Sequence, residues 1–271
     1  MITRRTLLAA LAAPKSWPFG FSLKGFPNWP LDRSFALCEK LGYTGVELFE
    51  PAKINATEVR QLSKKHKLPV LSVMEDLRLT GIEADHLNQL ESSLKLATQI
   101  GRPIVETIVG AKPEDWPAIR PQFLERLKSW AGLAEKYKVV IAIKAHIGSA
   151  LHLPKDAAGL CDEIGSRYLK INYDYSHFQL QRLPLEATVK DALPHIAMIH
   201  IKDFTGTPEK FRFALPGEGS IDYTAYAALL RRVNYGGPIV VEVSTHVLQK
   251  PEYNAETASR FVAVNVLPKF K

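Results

Sequence analysis

A single closed (β/α)8 barrel of the α/β class is the fold this sequence predicts, on three observations. Apolar segments of strand length alternate with amphipathic segments of helix length from residue 17 to the end of the 271-residue chain. The strand candidates are apolar on both faces, the mark of parallel strands covered from each side. Eight strand–helix pairs fall within about 250 residues, which suits closure into a barrel. An open doubly wound sheet is the alternative, and it lacks here a glycine-rich dinucleotide loop after its first strand.

The elements follow in order. The first strand is expected at Phe19–Leu23, with a helix over Leu31–Leu41. Gly45–Phe49 precedes a helix over Ala56–Lys67, where Asn55 reads as an N-cap with Glu58 in the first turn. Its far end, Lys64-Lys65-His66-Lys67, places cations where the helix dipole favours them, so this basic run reads as a solvated terminus. Val70–Met74 leads to a helix over Ala84–Ile100, Ile104–Val109 to Arg120–Tyr137, and Val139–Ile143 to Pro154–Ile164. Leu169–Tyr173 leads to Leu185–Leu193. Ala197–Ile201 leads to Tyr223–Val233, capped by Asp222, and Ile239–Val243 leads to the closing helix Ala255–Val266.

Residues 1–13, MITRRTLLAALAA, stand apart from this pattern. The arginine pair Arg4-Arg5 precedes the apolar run Leu7–Ala13, which holds the small-x-small sequence Ala10-Leu11-Ala12, so the segment resembles a twin-arginine export signal. The expectation is a periplasmic or secreted protein, with a cytoplasmic one as the alternative and the barrel domain spanning residues 17–271. No apolar run is long enough to cross a bilayer. A net charge of +7, two units of it from Arg4 and Arg5, is too mild to indicate nucleic acid as a partner. Cys38 and Cys161 lie in helical patterns without metal-type spacing and read as buried thiols.

Chemistry in such barrels gathers at the carboxyl ends of the strands. The polar residues stand there: Glu47 on strand two, Glu106 on strand four, Lys144 and His146 on strand five, Asp174 and His177 after strand six, His200 and Lys202 on strand seven, Glu242 on strand eight. Alternation puts Lys144 and His146 on one face, and likewise His200 and Lys202. Singly, each histidine reads as a hydrogen-bonded structural residue. Together, Asp174, His200 and Glu242 form a ligand set suited to Mn²⁺, Mg²⁺, Co²⁺ or Zn²⁺. Glu47 and Glu106 are equally readable as ion-pair partners for Lys24 or Lys144, and Asp203 as an orienting residue for loop backbone.

The segments YDYSH, HIKD, PGEGSIDY and NYGGPIVVEV, in that order on successive strands, resemble the xylose isomerase-like TIM barrels, which include sugar isomerases, sugar epimerases and apurinic endonucleases. The resemblance implies a metal held by Asp174, His200 and Glu242, and a substrate-touching role for His177. It also implies a fourth ligand, a glutamate on strand five in a segment of the type L-E-N-H. Here that segment reads IKAH, and the glutamate position is Lys144. Three roles are open to this lysine: an ammonium in place of the metal, a neutral amine base or Schiff-base former, or a substrate contact beside a metal that Glu106 helps to hold. A salt bridge filling the barrel mouth is the bland alternative.

The expected function is that of a sugar isomerase or epimerase acting on a polyhydroxylated carbonyl compound, by proton abstraction next to the carbonyl. Glu242, Lys144 and His177 are the candidate catalytic residues, and His146, Glu106, Glu47 and Lys202 the candidate substrate contacts. A lyase or hydratase on an oxidised sugar and a non-catalytic sugar-binding barrel are the alternatives. Apurinic endonuclease chemistry is disfavoured, because the stretch Phe204–Phe213 holds no histidine.

Overall fold

The computed structural model describes residues 16–75, 77, 83–108 and 110–271. The expected leader, residues 1–13, lies outside the described residues, as does Val109 at the end of the expected fourth strand. The strands are β1 (Phe19–Ser22), β2 (Gly45–Phe49), β3 (Val70–Glu75), β4 (Ile104–Ile108), β5 (Ile141–Lys144), β6 (Leu169–Tyr173), β7 (Ile196–Ile201), β8 (Asp203–Thr207), β9 (Lys210–Ala214) and β10 (Ile239–Val241). All but β8 and β9 pair in parallel to close a barrel, β1 meeting both β2 and β10.

Around the barrel run α1 (Leu31–Lys40), α2 (Ala56–His66), α3 (Glu83–Gln99), α4 (Trp116–Tyr137), α5 (Pro154–Ile164), α6 (Tyr175–Leu180), α7 (Leu185–Ala192), α8 (Tyr223–Arg232), α9 (Thr245–Leu248) and α10 (Ala255–Asn265). The main core lies between strands and helices, where residues such as Phe35, Val59, Leu94, Trp130, Leu160 and Val262 are buried. Cys38 and Cys161 are both buried and free, as expected. At the chain ends, Trp17 donates its indole N–H to the Tyr235 carbonyl at 2.6 Å and meets Phe270 edge to face.

Alternation along the strands sets the height of the functional layer. Ala142, Met198 and Val240 form a small apolar cluster with Leu71 and Ile104. Two residues further along the same strand faces come Lys144, His200 and Glu242. A dry apolar plug thus lies beneath a polar layer, and the polar side chains have to satisfy one another or face the barrel mouth.

The N-caps read in the sequence are present. Asn55 accepts from the Thr57 and Glu58 amides at 2.9 and 3.2 Å, and Asp222 from the Thr224 and Ala225 amides at 2.9 and 3.0 Å. Asn55→Ala is expected to lower the free energy of unfolding by about 1 kcal/mol. Urea denaturation checks this, and an unchanged midpoint would show that α2 is held by packing alone.

Two departures from the expected elements matter for the site. The stretch after β7, expected as a loop, is the antiparallel hairpin β8–β9, pairing Phe204 with Phe213 and Gly206 with Phe211. Gly206, at φ +93°, allows the tight turn, because a Cβ there would collide with the Lys210 carbonyl. The short α6 was also not expected. It starts at Asp174, whose Oδ1 accepts from the Ser176 amide at 3.2 Å and the Ser176 hydroxyl at 2.6 Å.

Candidate active site

Six strand ends and the start of α6 bring the polar residues into two tiers. In the lower tier, His200 Nε2 lies 2.7 Å from Glu47 Oε2, which also accepts from the Ser72 hydroxyl at 2.7 Å. Glu106 accepts from the Asn172 amide at 3.2 Å. In the upper tier, Lys144 donates to Glu242 Oε2 at 2.7 Å, and lies 2.6 Å from His200 Nδ1 and 3.7 Å from Asp174 Oδ2. Lys202 donates to Asp174 Oδ2 and Glu242 Oε2, both at 2.7 Å, and lies 3.0 Å from His177 Nε2. Two ammonium groups therefore share one Glu242 oxygen.

Burial and charge pull these groups in opposite directions. Burial alone would lower Lys144, but Glu242, Glu106 and Asp174 hold its ammonium above the ordinary lysine value. Burial would raise Glu242 and Asp174, yet the lysines keep both carboxylates well below the usual range. Glu106 is the exception, since burial pushes its carboxyl up despite Lys144 and His200. Glu106 Oε1 takes no hydrogen bond among the described residues.

Burial and the Lys202 charge draw His177 down to about 4, so its ring is neutral at pH 7. For His200, burial lowers and Glu47 raises, the balance being drawn up to about 9. That pull and the short Lys144 contact disagree about a second ring proton, and the contact decides. Two cations 2.6 Å apart in a dry site would cost more than Glu47 returns, so Nε2–H donates to Glu47 and Nδ1 accepts from Lys144.

Above the upper tier opens a cavity of about 490 Å³. Glu242, Lys202, His146, Glu75, Lys24 and His246 are among its polar lining residues, and Phe211 and Phe213 of the hairpin wall one side. Phe213 covers Lys202, with Nζ 4.6 Å from the ring centroid, and its amide donates to His246 Nδ1 at 3.0 Å. Asp203 anchors the hairpin by accepting from the amides of Phe204 at 3.2 Å, Gly217 at 3.1 Å and Ile221 at 3.4 Å. Glu218 accepts from the Leu215 amide at 3.0 Å.

The structure gathers all nine residues singled out in the sequence, but at different depths. Glu242, Lys202 and His146 line the cavity. Lys144, Asp174, His177, His200, Glu47 and Glu106 are fully buried and do not line it. His177 lies directly beneath His146, with ring centroids 3.9 Å apart. Lys24 pairs with neither Glu47 nor Glu106 but stands over the Phe49 ring at 5.1 Å. Sequence reasoning missed Glu75, which ends β3 and accepts from Gln89 at 2.7 Å. It also missed the aromatic wall. The alternation Phe204, Phe211, Phe213 in an otherwise polar stretch was the available signal for the wall.

Two groups of donors come within 4.8 Å of one another: Asp174, His200 and Glu242, and below them Glu47, Glu106 and His200. Neither offers a divalent ion a free set of three. Lys144 Nζ stands inside the upper group, and His200 Nε2 in the lower is already bound to Glu47. The residues as they stand do not fit such an ion.

Comparison with known proteins places this architecture. L-ribulose-5-phosphate 3-epimerase UlaE of Salmonella paratyphi C is 20% identical over 239 residues, covering 87% of this chain and 78% of the relative. Hydroxypyruvate isomerase of Escherichia coli is 24% identical over 246 residues, covering 84% and 91%. The solved structure of the IolI protein with a bound zinc atom superposes with a TM-score of 0.77 at 20% identity, covering 94% of this chain and 99% of that one, and shows a shared fold. The profile of the xylose isomerase-like TIM barrel family matches residues 35–263, and the chain belongs to that family.

Proposed function

We propose that this barrel is a sugar isomerase- or epimerase-like enzyme that removes a proton next to the carbonyl of a polyhydroxylated substrate. One observation carries the reading: Lys202 and Glu242, an ammonium and a carboxylate 2.7 Å apart, both line the floor of the cavity. A carbonyl oxygen seated on Lys202 places the neighbouring carbon beside Glu242. The carboxylate takes that proton, and the electron pair moves to the oxygen as an enediolate, whose negative charge lies over Lys202 with Lys144 beneath. Return of the proton from Glu242 to the former carbonyl carbon, with the neighbouring hydroxyl proton passing to the first oxygen, gives an isomer, and a proton delivered from water to the other face of the original carbon gives an epimer. The names of the two curated relatives, an epimerase and an isomerase, support this class.

In this reading Lys144 is a positioning residue, since it reaches Glu242 and is sealed from the cavity. His177 likewise supports His146 from below. Phe211 and Phe213 offer apolar faces to the sugar's C–H groups, and a cavity of about 490 Å³ falls within the usual range for small ligands, about 300–1,000 Å³. Export through residues 1–13 belongs to the proposal and directs it to free sugars rather than phosphorylated ones.

The test is solvent exchange. The purified chain is incubated in D2O with a panel of free ketoses, aldoses and oxidised sugars, and exchange of the C–H beside the carbonyl is followed by NMR. Exchange is expected for at least one of them, and Lys202→Met should lower kcat by about 10²–10³-fold. Phe213→Ala should chiefly raise KM. A folded protein that binds sugar saturably without exchange would sink the enzyme reading in favour of a binding barrel. Loss of water from the substrate after exchange would redirect it to a lyase.

A further inference from the structure

We infer that Lys144 is a built-in cation standing where Asp174, His200 and Glu242 would otherwise hold a divalent ion, so that this site works without a resident divalent metal. The donor atoms of these three residues lie within 4.8 Å of one another, a spacing that by itself would accept an ion. Lys144 Nζ is already 2.6 Å from His200 Nδ1, 2.7 Å from Glu242 Oε2 and 3.7 Å from Asp174 Oδ2. An ion bound to the same atoms at about 2.0–2.2 Å would share that space with an ammonium. The lysine has nowhere to retreat, because its side chain is fully buried and its backbone is clamped opposite Ile108 in the barrel wall.

Lys202 completes the replacement. Its Nζ donates to the Asp174 and Glu242 oxygens from the cavity side, so both carboxylates are met by N–H donors. Two ammonium groups carry the charge of one divalent ion, compensate the same acids and present one positive group to a substrate oxygen. The inference deepens the proposed function but is read by metal binding rather than turnover, so either can fail while the other stands.

The experiment measures metal directly. The full chain, purified with Mn²⁺ and Zn²⁺ in separate preparations, is gel-filtered and assayed for bound metal by mass spectrometry. Calorimetric titration with Mn²⁺ follows for wild type, Lys144→Glu and Lys144→Gln. Wild type is expected to carry no stoichiometric metal, and both variants to bind Mn²⁺ about tenfold tighter or more, since an opposing charge is removed from the ligand sphere. The gain should vanish when Asp174→Asn is added. Should the glutamate variant fail to fold, the nearly isosteric glutamine variant and the wild-type metal content still decide. One equivalent of metal on wild type that Asp174→Asn removes, or equal affinity in wild type and the folded variants, would overturn the inference.

Discussion

Replacing Glu242 with alanine is expected to lower the free energy of unfolding by about 3–5 kcal/mol, the scale for breaking a buried ion pair from one side. Glu242 Oε2 accepts from both Lys144 and Lys202 at 2.7 Å, and Lys144, which is fully buried and does not line the cavity, regains no hydration when that oxygen is lost. Among the described residues Asp174 is then the carboxylate left within 4 Å of the two ammonium groups, at 2.7 Å from Lys202 and 3.7 Å from Lys144. Guanidinium denaturation of the two proteins measures the difference. The exposed pair Lys53–Glu50 is the control, because Glu50→Ala should cost under about 1 kcal/mol despite its 2.6 Å contact.

A second arm separates loss of pairing from loss of packing. If the penalty comes from stranded charge, the double substitution Lys144→Met, Glu242→Met should recover part of it, since apolar replacement of a whole buried pair is often near neutral. A Glu242→Ala cost below about 1 kcal/mol would mean that the ammonium groups find other partners and that the upper tier is not a closed network.

The depth of each residue explains what was legible in the sequence. Strand alternation told which side chains point inward, and the structure places Lys144, His200, Lys202 and Glu242 inside the barrel together. Alternation says nothing about height, which depends on how neighbouring strands are staggered. Lys144 is opposite Ile108 and His200 opposite Val240, and these registers leave Lys202 at the cavity while Lys144 is sealed. For the same reason the substitution of lysine for glutamate in IKAH was visible, but its capture of both His200 and Glu242 was not. The hairpin escaped because its residues alternate over only a few positions and pair only with each other. Helix boundaries were legible where caps existed, as at Asn55 and Asp222. At the start of α4 proline in the first turn extended the helix back to Trp116, beyond the expected Arg120.

Stability is expected to fall by about 2 kcal/mol as the pH drops from 7 to 5 through the buried His177 alone. His177 is drawn down to about 4 by burial and then by the Lys202 charge, and an unfolded histidine titrates near 6.5. With the folded value below the unfolded one, the unfolded chain binds more protons between these two pH values, so acid favours unfolding across that window. His146, lowered by burial, His177 and Lys202, adds in the same direction. Asp174 and Glu242 also have depressed values, but their contributions are present above the unfolded carboxylate range and are lost only as pH falls below about 4. His66 works the other way, because burial lowers it but its bonds to Asp32 and Glu39 outweigh that and raise it. Those acids are about half exposed, so solvent screens the gain. Denaturant titrations at pH 7, 6 and 5 should therefore show a declining midpoint, and His177→Gln, which removes one of the two titrating rings, should make the decline shallower. A wild-type midpoint that is level from pH 7 to 5 would mean that the His177 ring is open to solvent or that Asp174, whose Oδ2 lies 3.4 Å from its Nε2, outweighs burial and the Lys202 charge. Either outcome would break the link drawn between its burial beneath His146 and the positive charge of Lys202.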